Sequence, residues 1–238
     1  MRIVGCEILH CNAGWRDFSF LKLMTDENIT GISEYNECYG SPGLSGIIRR
    51  LVERVKDMDP LAHEHIHQCL YAATRQAPGG VNQQAIAAIE NALLDIKGQA
   101  LNIPVYDILG GAIRKEIPVY WSHCGTYIWR PEIAELCGVE AIRKTEDLLN
   151  LGKRVKEQGF LGLKTNMITF NEDVGASLYM PGTAGRPGWP DLNVPSSLTG
   201  QLRDQLIAMQ EGAGPDVGVR LDFTERVLVA RVYLGASH

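Results

Sequence analysis

AIENALLDIKGQALNIPVYDILGG, residues 88–111, opens as one face of an amphipathic helix and closes in a turn. With Ala85 and Ile86 just ahead of it, Ile89, Ala92, Leu93 and Ile96 recur at the 3.6-residue period of a buried stripe. Gly98 loosens the helix end, and Pro104 forbids continuation soon after. The order is specific: an Asp-Ile-Lys-Gly helix end at Asp95–Gly98, a Pro-Val-Tyr turn, then a Leu-Gly-Gly stop at Leu109–Gly111.

Upstream, residues 1–10 alternate around Ile3, Ile8 and Leu9 as an opening strand. A polar, aromatic loop from Asn12 to Asp17 precedes a second strand, Phe18 to Met24. Asp26-Glu27-Asn28 is a turn, and Ile32 to Cys38 reads as a third strand, which makes an antiparallel meander. Gly40, Pro42, Gly43 and Gly46 then break the chain ahead of a helix carrying Ile47, Ile48, Leu51, Val52 and Val55. Asp59-Pro60 has the form of an N-cap followed by a first-turn proline, so a second helix is expected there, ended by Gly79-Gly80. Strands followed by helices predict an α+β domain over residues 1–113.

From residue 114 the pattern changes. IPVYW (117–121) reads as a strand, a helix is expected from about Glu140 to Gln158, and GFLGLKTN (159–166) is the next strand. A long loop rich in proline and glycine follows, then a helical face marked by Leu198, Leu202, Leu206 and Met209, then the strand VGVRLDF (217–223). Alternating strands and helices predict a parallel sheet.

Composition sets outer bounds. Of 238 residues, 45% are hydrophobic and 21% charged, ordinary values for a globular chain. A net charge of −5 gives no reason to expect nucleic acid or an anionic membrane as partner. No apolar run approaches the roughly 20 residues of a membrane span, and MRIVGCEILH reads as a strand and not as a secretory signal. Cys6, Cys11, Cys38, Cys69, Cys124 and Cys137 show neither CxxC pairs nor framework spacing, which suits reduced thiols in a cytoplasmic protein.

The 88–111 stretch resembles the segment joining capping domain to barrel in the enolase superfamily, in its mandelate racemase and muconate lactonizing branch. That resemblance implies an α+β capping domain followed by the first part of an α/β (β/α) TIM-type barrel, incomplete, with residues 114–238 supplying its first three strands. It also implies a Mg²⁺-dependent enzyme acting next to a carboxylate. Lys164 and Asn166, two residues apart at a strand end, would face the barrel mouth together. Their Lys-x-Asn pattern is similar to that of acid-sugar dehydratases related to galactonate dehydratase. On that reading Lys164 positions the substrate carboxylate, or acts as base if desolvation lowers its pKa, and Asn166 hydrogen-bonds the substrate. Asp222 would be the first of the family's carboxylate metal ligands. The resemblance departs at Thr224, which stands where those dehydratases carry a histidine acid, and at Glu225 in place of a glycine. Trp15, Arg16 and Tyr39, on capping-domain loops, are candidate substrate contacts, the arginine for a carboxylate.

The implied reaction is abstraction of the proton α to a carboxylate, an enediolate, and loss of a β-hydroxyl from a sugar acid. A racemase, epimerase or cycloisomerase shares the first two steps, and a non-catalytic paralogue acting only in assembly is the third alternative. The expected partners are a small sugar-acid substrate and further copies of the chain in a homo-oligomer. The remaining metal carboxylates and the base would lie beyond His238, so the reading expects a truncated product, a fragment or a degenerate paralogue. One rival motif is present: His63-Glu64-His65-Ile66-His67 satisfies the H-E-x-x-H pattern of zinc proteases. On a helical wheel Leu61, Ala62, Ile66, Cys69, Leu70, Ala72 and Ala73 form the buried stripe, which leaves His63, Glu64 and His67 mostly on a solvated face.

Overall fold

The computed structural model describes residues 1–38, 40–171, 175–179 and 196–222. The chain divides between Lys115 and Glu116 into two compact units. Tyr39 and the Thr224 and Glu225 positions lie outside the described residues.

The first unit begins with strands β1 (Ile3–Asn12), β2 (Asp17–Thr25) and β3 (Thr30–Tyr35), paired antiparallel in that order. In β2 every second residue, Ser19, Leu21, Leu23 and Thr25, is buried, as a one-sided sheet requires. The phase of β3 differs from the apolar reading. Gly31, Ser33 and Tyr35 point inward and Ile32 is 58% exposed. The cause is helix α3 (Gly80–Leu101), which lies so close to β3 that any Cβ at Gly31 would collide with the Ala92 carbonyl. Asp95 Oδ2 accepts the Ile32 N–H from the same helix at 2.8 Å.

All six expected face residues of α3, Ala85, Ile86, Ile89, Ala92, Leu93 and Ile96, are buried. They form one core with Leu21, Leu23 and the inner face of α1 (Leu44–Val55). Helix α1 starts at Gly43, which has no side chain to cap it. Glu37 does so from six residues upstream: its Oε1 accepts Gly43 N–H at 2.8 Å, and its Oε2 accepts both the backbone and hydroxyl hydrogens of Ser45.

Helix α2 (His63–Ala73) starts later and ends earlier than expected. Asp59 Oδ1 accepts Leu61 N–H at 3.0 Å, so Asp59-Pro60 forms a local turn, not a helix start. Gly79 belongs to the beginning of α3, not the end of α2. Of the expected α2 stripe, Ile66 and Leu70 are buried, whereas Ala62, Ala72 and Ala73 are exposed. Gly98 does not end α3, which runs on to Leu101. Asn102 closes it in a left-handed conformation, and Ile103 N–H returns to Gly98 O at 3.0 Å. A single turn, α4 (Val105–Ile108), follows Pro104.

In the second unit, α5 (Pro131–Leu136) and α6 (Thr145–Glu157) precede β4 (Gly162–Thr165). A hairpin of β5 (Ile168–Asn171) and β6 (Gly175–Leu178) occupies the start of the segment expected to be loop. Helix α7 (Ser196–Ala213) leads to β7 (Gly218–Leu221), which pairs parallel with β4. IPVYW is not a full strand. Only Trp121 bridges, in parallel, to Leu163, while Ile117 and Val119 remain exposed. The parallel Trp121 bridge, helices, strand β4, helix α7 and strand β7 form the opening of a (β/α) barrel. Its core joins Leu148, Leu151 and Val155 of α6 to Leu163, Ile168 and Met209.

Candidate functional site

Barrel enzymes place reactive groups where the parallel strands end. Here the ladder continues past β7, because Asp222 N–H donates to Thr165 O at 2.8 Å. That bond holds Asp222 beside the end of β4. Lys164 Nζ then reaches Asp222 Oδ2 at 2.7 Å, with the two side chains 25% and 29% exposed. The hydrogen bond to Asp222 raises the Lys164 pKa above its ordinary value. Desolvation opposes it, but the charge of Asp222 and the neighbouring Tyr120 and Tyr127 add to the rise. Lys164 is therefore an ammonium at neutral pH. The free-amine base considered from sequence would need the opposite shift.

Asn166 is 4% exposed, so the expected direct reach to substrate at the barrel mouth is not what the structure places there. Its Nδ2 donates to the Asp222 main-chain carbonyl at 3.2 Å, and its Oδ1 accepts from Thr126 Oγ1 at 2.8 Å. Its own carbonyl accepts from Gln205 Nε2 of α7 at 2.8 Å, while Gln205 Oε1 takes the Ile168 N–H at 2.9 Å. Asn166 thus ties the ends of β4 and β7 to the segment following Trp121.

Sequence reasoning missed His123, Thr126 and Gln205. His123 Nδ1 lies 3.3 Å from Asn166 Oδ1, and its ring is tilted against Tyr127 with centroids 5.7 Å apart. The available signal was position: His123 falls two residues after IPVYW, just past an expected strand's carboxyl end. Cys124, next in sequence, is fully buried, and desolvation pushes its thiol up to about 12.

In the first unit, Trp15 and Arg16 occupy the tight β1–β2 turn, where Ala13 N–H donates to Arg16 O at 3.0 Å. Trp15 meets Phe18 edge to face at 5.7 Å, and the Arg16 guanidinium lies 4.5 Å from the Phe18 ring centre.

The two would-be ligands of the H-E-x-x-H motif take different partners in the structure. His67 Nδ1 pairs with Glu90 Oε2 at 3.1 Å, and Lys97 Nζ donates to His63 Nδ1 at 3.3 Å. A cation on one would-be ligand and a carboxylate on the other divide the pair. Both imidazoles are partly buried rather than on a freely solvated face. Among the described residues no three His, Cys, Asp or Glu side chains converge. Among the same residues, no helix is long and apolar enough to cross a membrane.

Residues 11–110 match the mandelate racemase/muconate lactonizing enzyme N-terminal domain family. D-galactonate dehydratase of Xanthomonas axonopodis pv. citri is 35% identical over 127 residues, which is 50% of this chain and 31% of that protein. A crystal structure from Burkholderia xenovorans strain LB400, provisionally named an L-alanine-DL-glutamate epimerase, is 38% identical with a TM-score of 0.86. It covers 95% of this chain and 56% of its own. The same protein bound to magnesium and fumarate superposes with a TM-score of 0.86 at 38% identity, over 94% of this chain and 55% of its own. The chain therefore spans under a third of the matched dehydratase and about half of the matched structures. With a matched N-terminal domain over residues 11–110, an α+β first unit and the opening of a (β/α) barrel, the chain is similar to members of the enolase superfamily in its mandelate racemase/muconate lactonizing branch.

Proposed function

We propose that this chain carries the carboxylate-binding part of an active site for chemistry at the carbon α to a substrate carboxylate, with sugar-acid dehydration as the net reaction. The observation behind this reading is the Lys164–Asp222 pair, 2.7 Å apart at the carboxyl ends of two parallel strands. Similarity to D-galactonate dehydratase supports the elimination. The Burkholderia protein's name favours the second reading, an epimerase, which takes the same proton and returns it without eliminating water.

The ammonium of Lys164 binds one substrate carboxylate oxygen. It faces the charge that gathers on that oxygen as the α-proton leaves, so it stabilises the transition state more than the ground state. Asp222 keeps Lys164 charged and aimed, and Asn166 fixes the two strand ends on which both stand.

The family implies Mg²⁺. The described residues do not fit a resident ion by themselves: Asp222 offers a carboxylate, but it is already neutralised by Lys164, and no second carboxylate converges on it among those residues. Asp222 is our candidate for one oxygen ligand where further carboxylates join it, and the roles above belong to the side chains alone.

The test follows a panel of sugar acids in ²H₂O with Mg²⁺ by ¹H NMR. Exchange of the α-proton together with a 2-keto-3-deoxy product supports the dehydratase. Exchange with only a stereoisomer formed supports the epimerase. A Lys164→Met variant that binds fumarate as the parent does sinks the reading.

A further inference from the structure

His123 is a second chemical group at the same strand ends. It follows the Trp121–Leu163 bridge, and the next residue, Cys124, donates its N–H to Lys164 O at 2.8 Å. Its φ is 54°, a left-handed conformation uncommon outside glycine and concentrated at functional sites. Among the described residues, its side chain hydrogen-bonds to Asn166 through Nδ1, and its ring is tilted against Tyr127.

The direction of that hydrogen bond can be worked out. The Asp222 main-chain carbonyl is an acceptor only, so the Asn166 group 3.2 Å from it must be the NH₂. Asn166 Oδ1 therefore faces Thr126 Oγ1 and His123 Nδ1, and an amide oxygen can only accept. Nδ1 carries the hydrogen, and a neutral imidazole has one N–H. The lone pair is thus on Nε2, the outer nitrogen of an exposed residue.

We infer that His123 Nε2 accepts a hydrogen bond from a hydroxyl borne beside the carboxylate that Lys164 holds. His123 is then a specificity residue for 2-hydroxy acids over the corresponding unhydroxylated acids. This role rests on the carboxylate-binding reading above. It also explains why a buried asparagine stands two residues after Lys164: Asn166 sets the histidine tautomer, as second partners of functional imidazoles commonly do.

The experiment compares L-malate and fumarate, two four-carbon dicarboxylates of which only malate bears a hydroxyl, by calorimetric titration of the parent, His123→Phe and His123→Asn. Asparagine tolerates the left-handed backbone, so the second variant keeps the local fold while shortening the acceptor. The parent is expected to bind malate about tenfold more tightly than fumarate, the worth of one hydrogen bond. Both variants should bring that ratio to about one and leave fumarate affinity within about twofold. A preference unchanged in both variants, or lost together with fumarate binding, overturns the role of His123 alone. A parent that binds neither diacid overturns the Lys164 reading and this role with it. Long-range ¹H–¹⁵N correlation supplies a ligand-free check: Nδ1 must be the protonated nitrogen of neutral His123, and an Nε2–H tautomer refutes the inference.

Discussion

Replacing Gly152 by alanine sets two opposing effects against each other within helix α6. Alanine is favoured over glycine in a helix interior by about 1 kcal/mol. Against that, a Cβ at Gly152 would lie 2.9 Å from Ala213 N and 3.1 Å from Gly212 Cα, and closer still to Met209 O. Ordinary contact begins near 3.4 Å. All three obstacles are backbone of α7, so no rotamer change relieves them. The helices must part by at least about 0.5 Å, which forfeits about a quarter of the dispersion well across their contact. Overpacking of this kind costs about 1–3 kcal/mol, and rigid obstacles put this case at the upper end. The net expectation is a loss of about 2 kcal/mol. Gly200, in α7, is the control: nothing lies within 4 Å of its would-be Cβ, so Gly200→Ala should stabilise by up to about 1 kcal/mol. Amide hydrogen exchange of α6 and α7 reads the second unit separately from the first. If Gly152→Ala slows exchange as Gly200→Ala does, the close helix crossing is not what holds this unit together.

Three further outcomes are expected. Burial opposes ionisation of Glu37, but hydrogen bonds from Ser45 and Gly43 outweigh it and hold the carboxyl below its ordinary range. Its stabilising effect is therefore present above the unfolded pKa and lost as pH falls through the folded one. Glu37→Gln should cost about 0.5–2 kcal/mol at neutral pH and flatten the acid limb of a stability–pH curve measured by urea unfolding. Cys124 is the converse case. Its thiol, raised from 9.0 to about 12, contributes stability that is complete below pH 9 and falls between 9 and 12. The loss should reach about 1.4 kcal/mol by pH 10, and Cys124→Ala should remove that slope. Asn166→Ala leaves Thr126 Oγ1 and the Asp222 carbonyl without their partner and should cost about 1–3 kcal/mol, whereas an unchanged melting curve would mean the strand ends are held by the sheet alone.

The α3 face and the meander were legible because each depends on a local period. That Lys164 and Asp222 stand at neighbouring strand ends was legible from strand–helix alternation, while the roles expected of them came from the resemblance. What failed to read was set by partners distant in sequence. The inward phase of β3 follows from Gly31 lying against Ala92, and an isoleucine-led pattern cannot anticipate that approach. IPVYW has strand composition, but only Trp121 has a parallel neighbour to bridge. The early part of the 167–196 segment pairs with itself as β5–β6 despite the proline and glycine that follow. Asn166 reads as a mouth-facing amide by alternation. It is buried because Thr126 and Gln205, each about forty positions away, supply its partners.

The β4–β7 register raises an electrostatic question that Gly162 answers. Lys164 pairs with Arg220, and register partners in parallel strands share a face, so two cations stand side by side. Both would seek Asp222, two residues beyond Arg220 on that face. Lys164 obtains it, while the Arg220 guanidinium turns the other way and lies 5.4 Å from the centre of the Tyr120 ring. The path back is open because Gly162 has no side chain: a Cβ there would stand 2.5 Å from Arg220 Nη1. Gly162→Ala should therefore cost modestly in stability, since the nearest obstacle ends a long flexible side chain and the backbone must yield only at the Gly218 carbonyl, 3.1 Å away, yet displace Arg220 toward Asp222. With two cations sharing one carboxylate, Lys164 should titrate lower than in the parent and bind fumarate differently. An ammonium resonance of Lys164 that titrates identically in parent and variant would show that Arg220 was never a competitor, and that register alone assigns Asp222 to Lys164.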